Sequence, residues 1–198
     1  MALVTTTAVK TYLGISSSGD DALIGTLVSA AESIIEEFTH RIFDATSSTK
    51  KFDAVIDVRD ANLYFSSGLE LASAPSNVTN GDGSTLTADT DFVYLPRQSF
   101  PAYGLSLLPS SSSYWQSSTN GDGANAISIT GVWGYSASGS TPSGIVQAAT
   151  RLAAFLYRQR DTNADTDRPL IVDGVTILPS SLPRDVERML SPYVLRTI

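Results

Sequence analysis

Residues 126–161 read AISITGVWGYSASGSTPSGIVQAATRLAAFLYRQRD, and this stretch decides the fold. An alternating strand carrying Ile127, Ile129 and Val132 runs into the aromatic and glycine run Val132-Trp133-Gly134-Tyr135. A Ser/Gly loop and Pro142 follow. Proline suits the first turn of a helix, where its missing N–H had no partner to lose. The helix that follows centres its apolar face on Ile145, Ala149, Leu152, Ala153 and Leu156, and Val146, Phe155 and Tyr157 widen that face. Gln147, Arg151 and Arg158 make its one polar stripe. A helix so apolar round its circumference is expected to be contacted on several sides.

Working outward, both ends of the chain read as helical and the middle as sheet. Residues 5–13 make a short helix capped by a threonine and stopped by Gly14. Ser18 or Asp20 can cap a second helix over 21–40. There Leu23, Leu27, Ala31, Ile34 and Phe38 form one stripe, and Ile24, Val28 and Ile35 a second beside it. Together they cover an arc of about 140°, wider than one packing partner requires.

From 52 to 135 serine, threonine, glycine and asparagine dominate. Short alternating runs at 52–58, 69–71, 92–95, 105–108 and 126–132 predict strands separated by turns. TNGDG occurs twice, at 79–83 and 119–123. Nothing around the copies matches, so they read as turn chemistry and not as a repeat. An acidic loop over 161–167, a strand pair at 170–172 and 175–178, and a last helix at 183–190 stopped by Pro192 complete the chain.

The expected class is α+β. A helical bundle is built from residues 1–48 and 141–198, and a β-rich insertion occupies 49–140.

Composition narrows the chemistry. The 198 residues carry a formal net charge of −7, 42% hydrophobic and 17% charged residues, and no cysteine. The chain is globular in composition, and an acidic total opposes non-specific DNA binding. Disulfides, thiolate metal sites and cysteine nucleophiles are excluded. No apolar run approaches the roughly 20 residues that span a bilayer, and residues 1–10 do not read as a secretory leader. A soluble protein made in the cytoplasm, with no membrane partner, is expected.

Catalysis finds little to hold. His40 is the single histidine, and no G-x-S-x-G elbow or phosphate-binding loop is present. It reads as a cation near a helix C-terminus. Asp161, Asn163, Asp165 and Asp167 alternate like a calcium loop, but the sixth position is Thr166 and the twelfth Val172. A second loop, 80–91, fails at Thr85, where calcium loops need glycine. No metal, cofactor or catalytic residue is expected.

Arg41 has two open readings, a residue snorkelling at a helix end or a subunit contact. Arg151 and Arg158 read as solvated or paired with Glu32, Glu36 or Glu37. Tyr103, Tyr114 and Trp115 could form a sugar platform or cap a small core.

Three stretches carry a family resemblance. They are 9–43, with Leu13-Gly14-Ile15 and the closing Thr39-His40-Arg41-Ile42-Phe43; 129–161, from Ile129-Thr130-Gly131-Val132-Trp133-Gly134-Tyr135 to Tyr157-Arg158-Gln159-Arg160-Asp161; and 182–193, from Leu182-Pro183-Arg184-Asp185-Val186 to Met189-Leu190-Ser191-Pro192-Tyr193. In order and spacing they resemble the head-tail connectors of tailed bacteriophages, the gp6-like adaptor or head completion proteins. The long β insertion departs from the smaller members.

The resemblance implies a ring, typically of about twelve copies, beneath the portal in the virion neck. Such a ring extends the DNA channel and docks the stopper or tail-completion protein, and genomic DNA passes through without sequence-specific binding. The expected subunit contacts are Leu27, Ile35, Arg41, Val146, Phe155 and Tyr157. The expected portal contacts are Arg188, Tyr193, Leu195, Arg196 and Ile198. Another neck component, such as a stopper, and a carbohydrate-binding β-module are the alternatives; a hydrolase lacks a usable base.

Overall fold

The computed structural model describes residues 3–65, 68–137, 140–159, 170–172, 175–177 and 182–195. Along them run α1 (Thr6–Leu13), α2 (Asp21–Thr39), β1 (Thr46–Phe52), β2 (Val58–Arg59), β3 (Asn62–Tyr64), β4 (Asn77–Thr79), β5 (Phe92–Leu95), β6 (Gly104–Leu107), β7 (Ile127–Trp133), α3 (Ser143–Gln159), β8 (Leu170–Val172), β9 (Val175–Ile177) and α4 (Arg184–Leu190). A 3-10 turn, Ser191–Tyr193, follows. Helices stand at both ends with strands between, an α+β fold.

The chain divides into two compact units. One draws on Met1–Thr39 and Pro142–Arg196, the other on His40–Thr141. The first boundary therefore falls at 39/40 and not at 48. His40, at φ 55°, leaves the helical region and ends α2. The polar stretch after it then enters the sheet as β1, whose alternation of exposed and half-buried side chains hid it in the sequence.

In the helical unit, the Thr5 hydroxyl accepts the Ala8 N–H at 3.1 Å and Gly14, at φ 73°, closes α1. Both are the capping roles expected of them. On α2 the buried residues are Ile24, Val28, Ala31, Ile35 and Thr39. Leu23, Leu27, Ile34 and Phe38 are half-buried. The shorter expected stripe is thus the core-facing one, and the longer lies on the shoulder. α3 buries Ile145, Ala148, Ala149, Thr150, Leu152, Ala153, Ala154 and Tyr157. α1, α2 and α4 all pack against it. Pro183 precedes α4, and Pro192 sits in the 3-10 turn that follows it.

In the β unit every strand pairing is antiparallel. One sheet has the order β1-β7-β4 and the other β2-β3-β6-β5. β7 is the centre of the first, with Ile127, Ile129, Gly131 and Trp133 facing the core. Val132 falls on the other face and is half-buried. Phe52, Leu63, Leu71, Phe92, Leu105, Ile127 and Ile129 are fully buried in one cluster with Phe65 and Trp133. Ring centroids of Phe52, Phe65 and Trp133 lie 5.0–5.7 Å apart, the tilted and edge contacts that aromatic quadrupoles favour.

The glycines of the Gly131–Gly134 run have separate reasons. A Cβ at Gly131 would stand 2.8 Å from Leu71 and 3.3 Å from Pro75, so its absence lets that segment lie on β7. Gly134 has φ 147° and would place a Cβ 2.8 Å from Ala45. Of the expected strands, 69–71 makes only isolated bridges, from Leu71 to Ala102 and Trp133. The run 52–58 breaks into the end of β1, a turn and the start of β2. β8 and β9 form the expected hairpin.

Candidate functional site

Tertiary packing sorts the subunit-contact candidates into two groups. Ile35 is 0% exposed in the core of the helical unit, which leaves it no surface for a neighbour. Tyr157 is also taken up internally. It is buried along α3, and its hydroxyl donates to the Asp20 carboxylate at 2.6 Å. Asp20 lies just before α2, so this bond ties the start of α2 to the end of α3. Leu27 and Val146 are half-buried, and Phe155 is 36% exposed. These three retain apolar surface.

Arg41 has partners within the chain. It lies beyond the end of α2, where it pairs through Nη1 with Glu70 of the β unit and sits 4.9 Å over the Tyr135 ring. The Glu70 side chain is only 5% exposed, so the pair is desolvated on the carboxylate side. A buried carboxylate without its cation would be strongly unfavourable. The guanidinium therefore serves the fold, and the sequence signal for it, Glu70 twenty-nine positions on, was too distant to read.

Of the two α3 arginines, Arg151 differs from expectation and Arg158 is solvated as expected. Arg151 pairs at 2.6 Å with Asp185 of α4, not with a glutamate of α2. Arg151 holds the Asp185 carboxyl below the usual carboxylate range. Arg158 is exposed and makes no hydrogen bond or ion pair among the described residues.

Among the tail candidates, Arg188 is exposed on α4, and Tyr193 and Leu195 are half-buried. The Leu195 N–H donates to the Thr39 carbonyl at 2.8 Å, at the last residue of α2. The Tyr193 hydroxyl lies at the start of α3, 3.3 Å from where a Gly144 Cβ would stand. The chain after α4 is thus folded back along the helix ends as far as Leu195. Arg196 and Ile198 lie outside the described residues, as does the acidic loop 161–167.

The β unit ties its polar groups to distant partners. Trp115 donates its indole N–H to the Ala61 carbonyl at 2.9 Å and packs against the core cluster. It caps the sheet. Tyr114, beside it, is 66% exposed. Asn80 is buried, and its amide bonds the Tyr114 carbonyl and the Gln116 N–H at 2.8 and 3.0 Å. The first TNGDG turn thereby anchors the segment leading to the second.

Asp82 accepts from Ser84, and Asp91 from Thr87, Ser111 and Ser113; these bonds lower both carboxyl pKa values. Asp82 Oδ1 and both oxygens of Asp91 are thus engaged by the chain itself. No group of three or more His, Cys, Asp or Glu gathers as a metal site among the described residues. His40 is exposed, next to the end of α2.

Helices α1 and α2 and strands β1 to β4 fall within a span that has known relatives. Residues 4–85 match the model of the phage gp6-like head-tail connector protein family. The resemblance read in 9–43 lies inside that span, and those read in 129–161 and 182–193 lie beyond it. No curated protein matches the chain.

Solved structures extend the likeness to the whole fold. A chain of the neck of an empty gene transfer agent particle, computed with C6 symmetry, aligns with TM-score 0.59 at 17% identity. The alignment covers 98% of this chain and 90% of that one. A chain of the neck of the native particle, computed with C12 symmetry, gives TM-score 0.57 at 16% identity over 98% and 92%. The fold is shared along nearly the full length, β unit included, so the long insertion does not set this chain apart.

Proposed function

We propose that this chain is a structural protein of a phage-type neck: a connector whose copies form a ring beneath the portal. The ring would extend the DNA channel and dock a stopper or tail-completion protein, with no reaction catalysed. The observation that carries this reading is a connector-family match over residues 4–85 on a chain whose fold follows a neck component over 98% of its length. The helical unit supports it. Leu27, Val146 and Phe155 keep apolar surface on helices whose cores are already complete. Such surface suits a heterologous contact that closes on itself.

The site of action would be the virion neck, after synthesis in the host cytoplasm. Arg188, Tyr193, Leu195, Arg196 and Ile198 are the proposed portal contacts, and the net charge of −7 suits a lumen that repels DNA and lets it slide. Mixing the purified chain with portal assemblies and imaging the product tests the reading. A closed ring of this chain on the portal is the expected image. A chain that neither binds the portal nor self-associates overturns the reading. Arg188→Glu together with Arg196→Glu, which leaves the buried Val186 and Leu190 of α4 in place, should abolish portal binding, and binding that survives both displaces the contact from the tail.

A further inference from the structure

The helical unit has a cleft of about 160 Å³ between α1, α3 and α4. Tyr12, Phe155, Pro183 and Val186 give it apolar walls, and Arg151, Asp185 and Arg158 line it with charge, of which Arg158 is the positive excess. Tyr12 is 44% and Phe155 36% exposed, unusual for rings that face each other across a groove. Arg151 is paired with Asp185 and keeps a buried Nε with no hydrogen-bond partner. Arg158 has no partner among the described residues. A matching occupant is apolar and carries an acid at its edge.

The shoulder of α2 has that chemistry. Leu23, Leu27, Ile34 and Phe38 are half-buried along one stripe. Glu37, three residues past Ile34, is exposed on its border and has no partner among the described residues. Position matters as much as chemistry. α1 lies along the opposite flank of α2, where Thr6 approaches Gly25 and the Leu3 N–H bonds Glu32 at 2.5 Å. At about 100° per residue, Gly25 and Glu32 are roughly half a turn from Leu23 and Ile34. The cleft, walled in part by Tyr12 of α1, and the shoulder therefore face different ways and cannot meet within one chain.

We propose that the Tyr12–Phe155 cleft of one copy receives the Leu23, Leu27, Ile34, Phe38 shoulder of the next, with Arg158 opposite Glu37, as the repeating contact of the ring. This rests on the ring reading above. Two unlike surfaces meet head to tail, so the contact propagates, and it ends only when the circle closes. Apolar side chains meet at its centre, and the Arg158 to Glu37 pair sets the register at the rim.

The absence of cysteine in the sequence makes the test clean. A chain carrying both Glu37→Cys and Arg158→Cys, treated with a short bis-maleimide in the presence of portal assemblies, should give a ladder of cross-linked multimers, because an Arg–Glu pair holds its backbones farther apart than a disulfide can span. Either substitution alone should give no ladder. In parallel, Arg158→Glu and Glu37→Arg should each weaken self-association by roughly tenfold or more, and the two together should restore it. Circular dichroism checks that each variant is folded. Rings without a ladder, or rings indifferent to both reversals, overturn this contact and leave the ring reading intact. Neither rings nor ladder overturns both.

Discussion

Along each helix of the helical unit the buried side chains come from neighbours in sequence, although the helices themselves come from both ends of the chain. Ile24, Val28, Ala31 and Ile35 follow one another three and four apart along a single helix. In the β unit the buried rings Phe52, Phe65 and Trp133 are brought together from strands or segments far apart in the chain. Buried polar groups repeat the contrast. Thr39 bonds the Ile35 carbonyl one turn back at 2.7 Å. Glu70 depends on Arg41, and Asn80 on residues 114 and 116. The elements of one unit are set by local order and those of the other by register, so the two should fail differently when cut.

The largest expected effects come from the two cores. Phe52→Ala should destabilise the β unit by about 3–5 kcal/mol, and Ile35→Ala the helical unit by about 2–5 kcal/mol. The two are separable because both tryptophans, Trp115 and Trp133, lie in the β unit. Tryptophan emission during denaturation reports that unit, and helical ellipticity reports the other. Each truncation should move its own transition. Two transitions that shift together whichever unit is cut would erase the distinction.

Ion pairs sharpen the contrast. Arg41→Met leaves Glu70 nearly buried without its cation, at a cost of about 3–5 kcal/mol. Adding Glu70→Leu should return most of that stability. Arg151→Ala removes a pair whose members are 36% and 52% exposed, and should cost only about 0.2–1 kcal/mol. Equal losses at the two sites, in urea titrations, would contradict the burial argument.

Between these lies Tyr157→Phe, which deletes the bond to Asp20. It should cost about 1.5–3 kcal/mol, as for other hydrogen bonds to charged groups.

Acid gives the smallest effect. Asp82, Asp91 and Asp185 all have folded pKa values below 3.8. Depressed pKa values contribute stability that is present above the unfolded value and is lost as pH falls through the folded one. Loosening of the 80–91 loop should therefore begin only below about pH 4. Asp91→Asn should flatten that part of the profile, and an unchanged profile would remove Asp91 from the account.

The helices were legible because their pattern is local. Thr5, Gly14 and Pro142 mark the ends, and apolar spacing marks the faces, so α1, α3 and α4 stand close to where the sequence places them. β5, β6 and β7 were also legible from alternation. β1 was not, because Thr46–Phe52 is mostly polar and earns its place only by pairing with β7. The same limit applied to the candidate site. Periodicity found two stripes on α2 but not which one faces the core, since both have the same chemistry. That choice belongs to α3, which packs against one of them.

Sequence alone determined the helix positions, the turns, the α+β class and the absence of cysteine chemistry, because each depends on residues adjacent in the chain or on composition. Only the tertiary structure decided that Ile35 and Tyr157 are internal and that Arg41 answers Glu70. It likewise decided that Arg151 answers Asp185 and that Phe155 and Leu27 keep open surface. Those assignments depend on which distant side chain arrives first at a given face, and that is a property of packing in three dimensions.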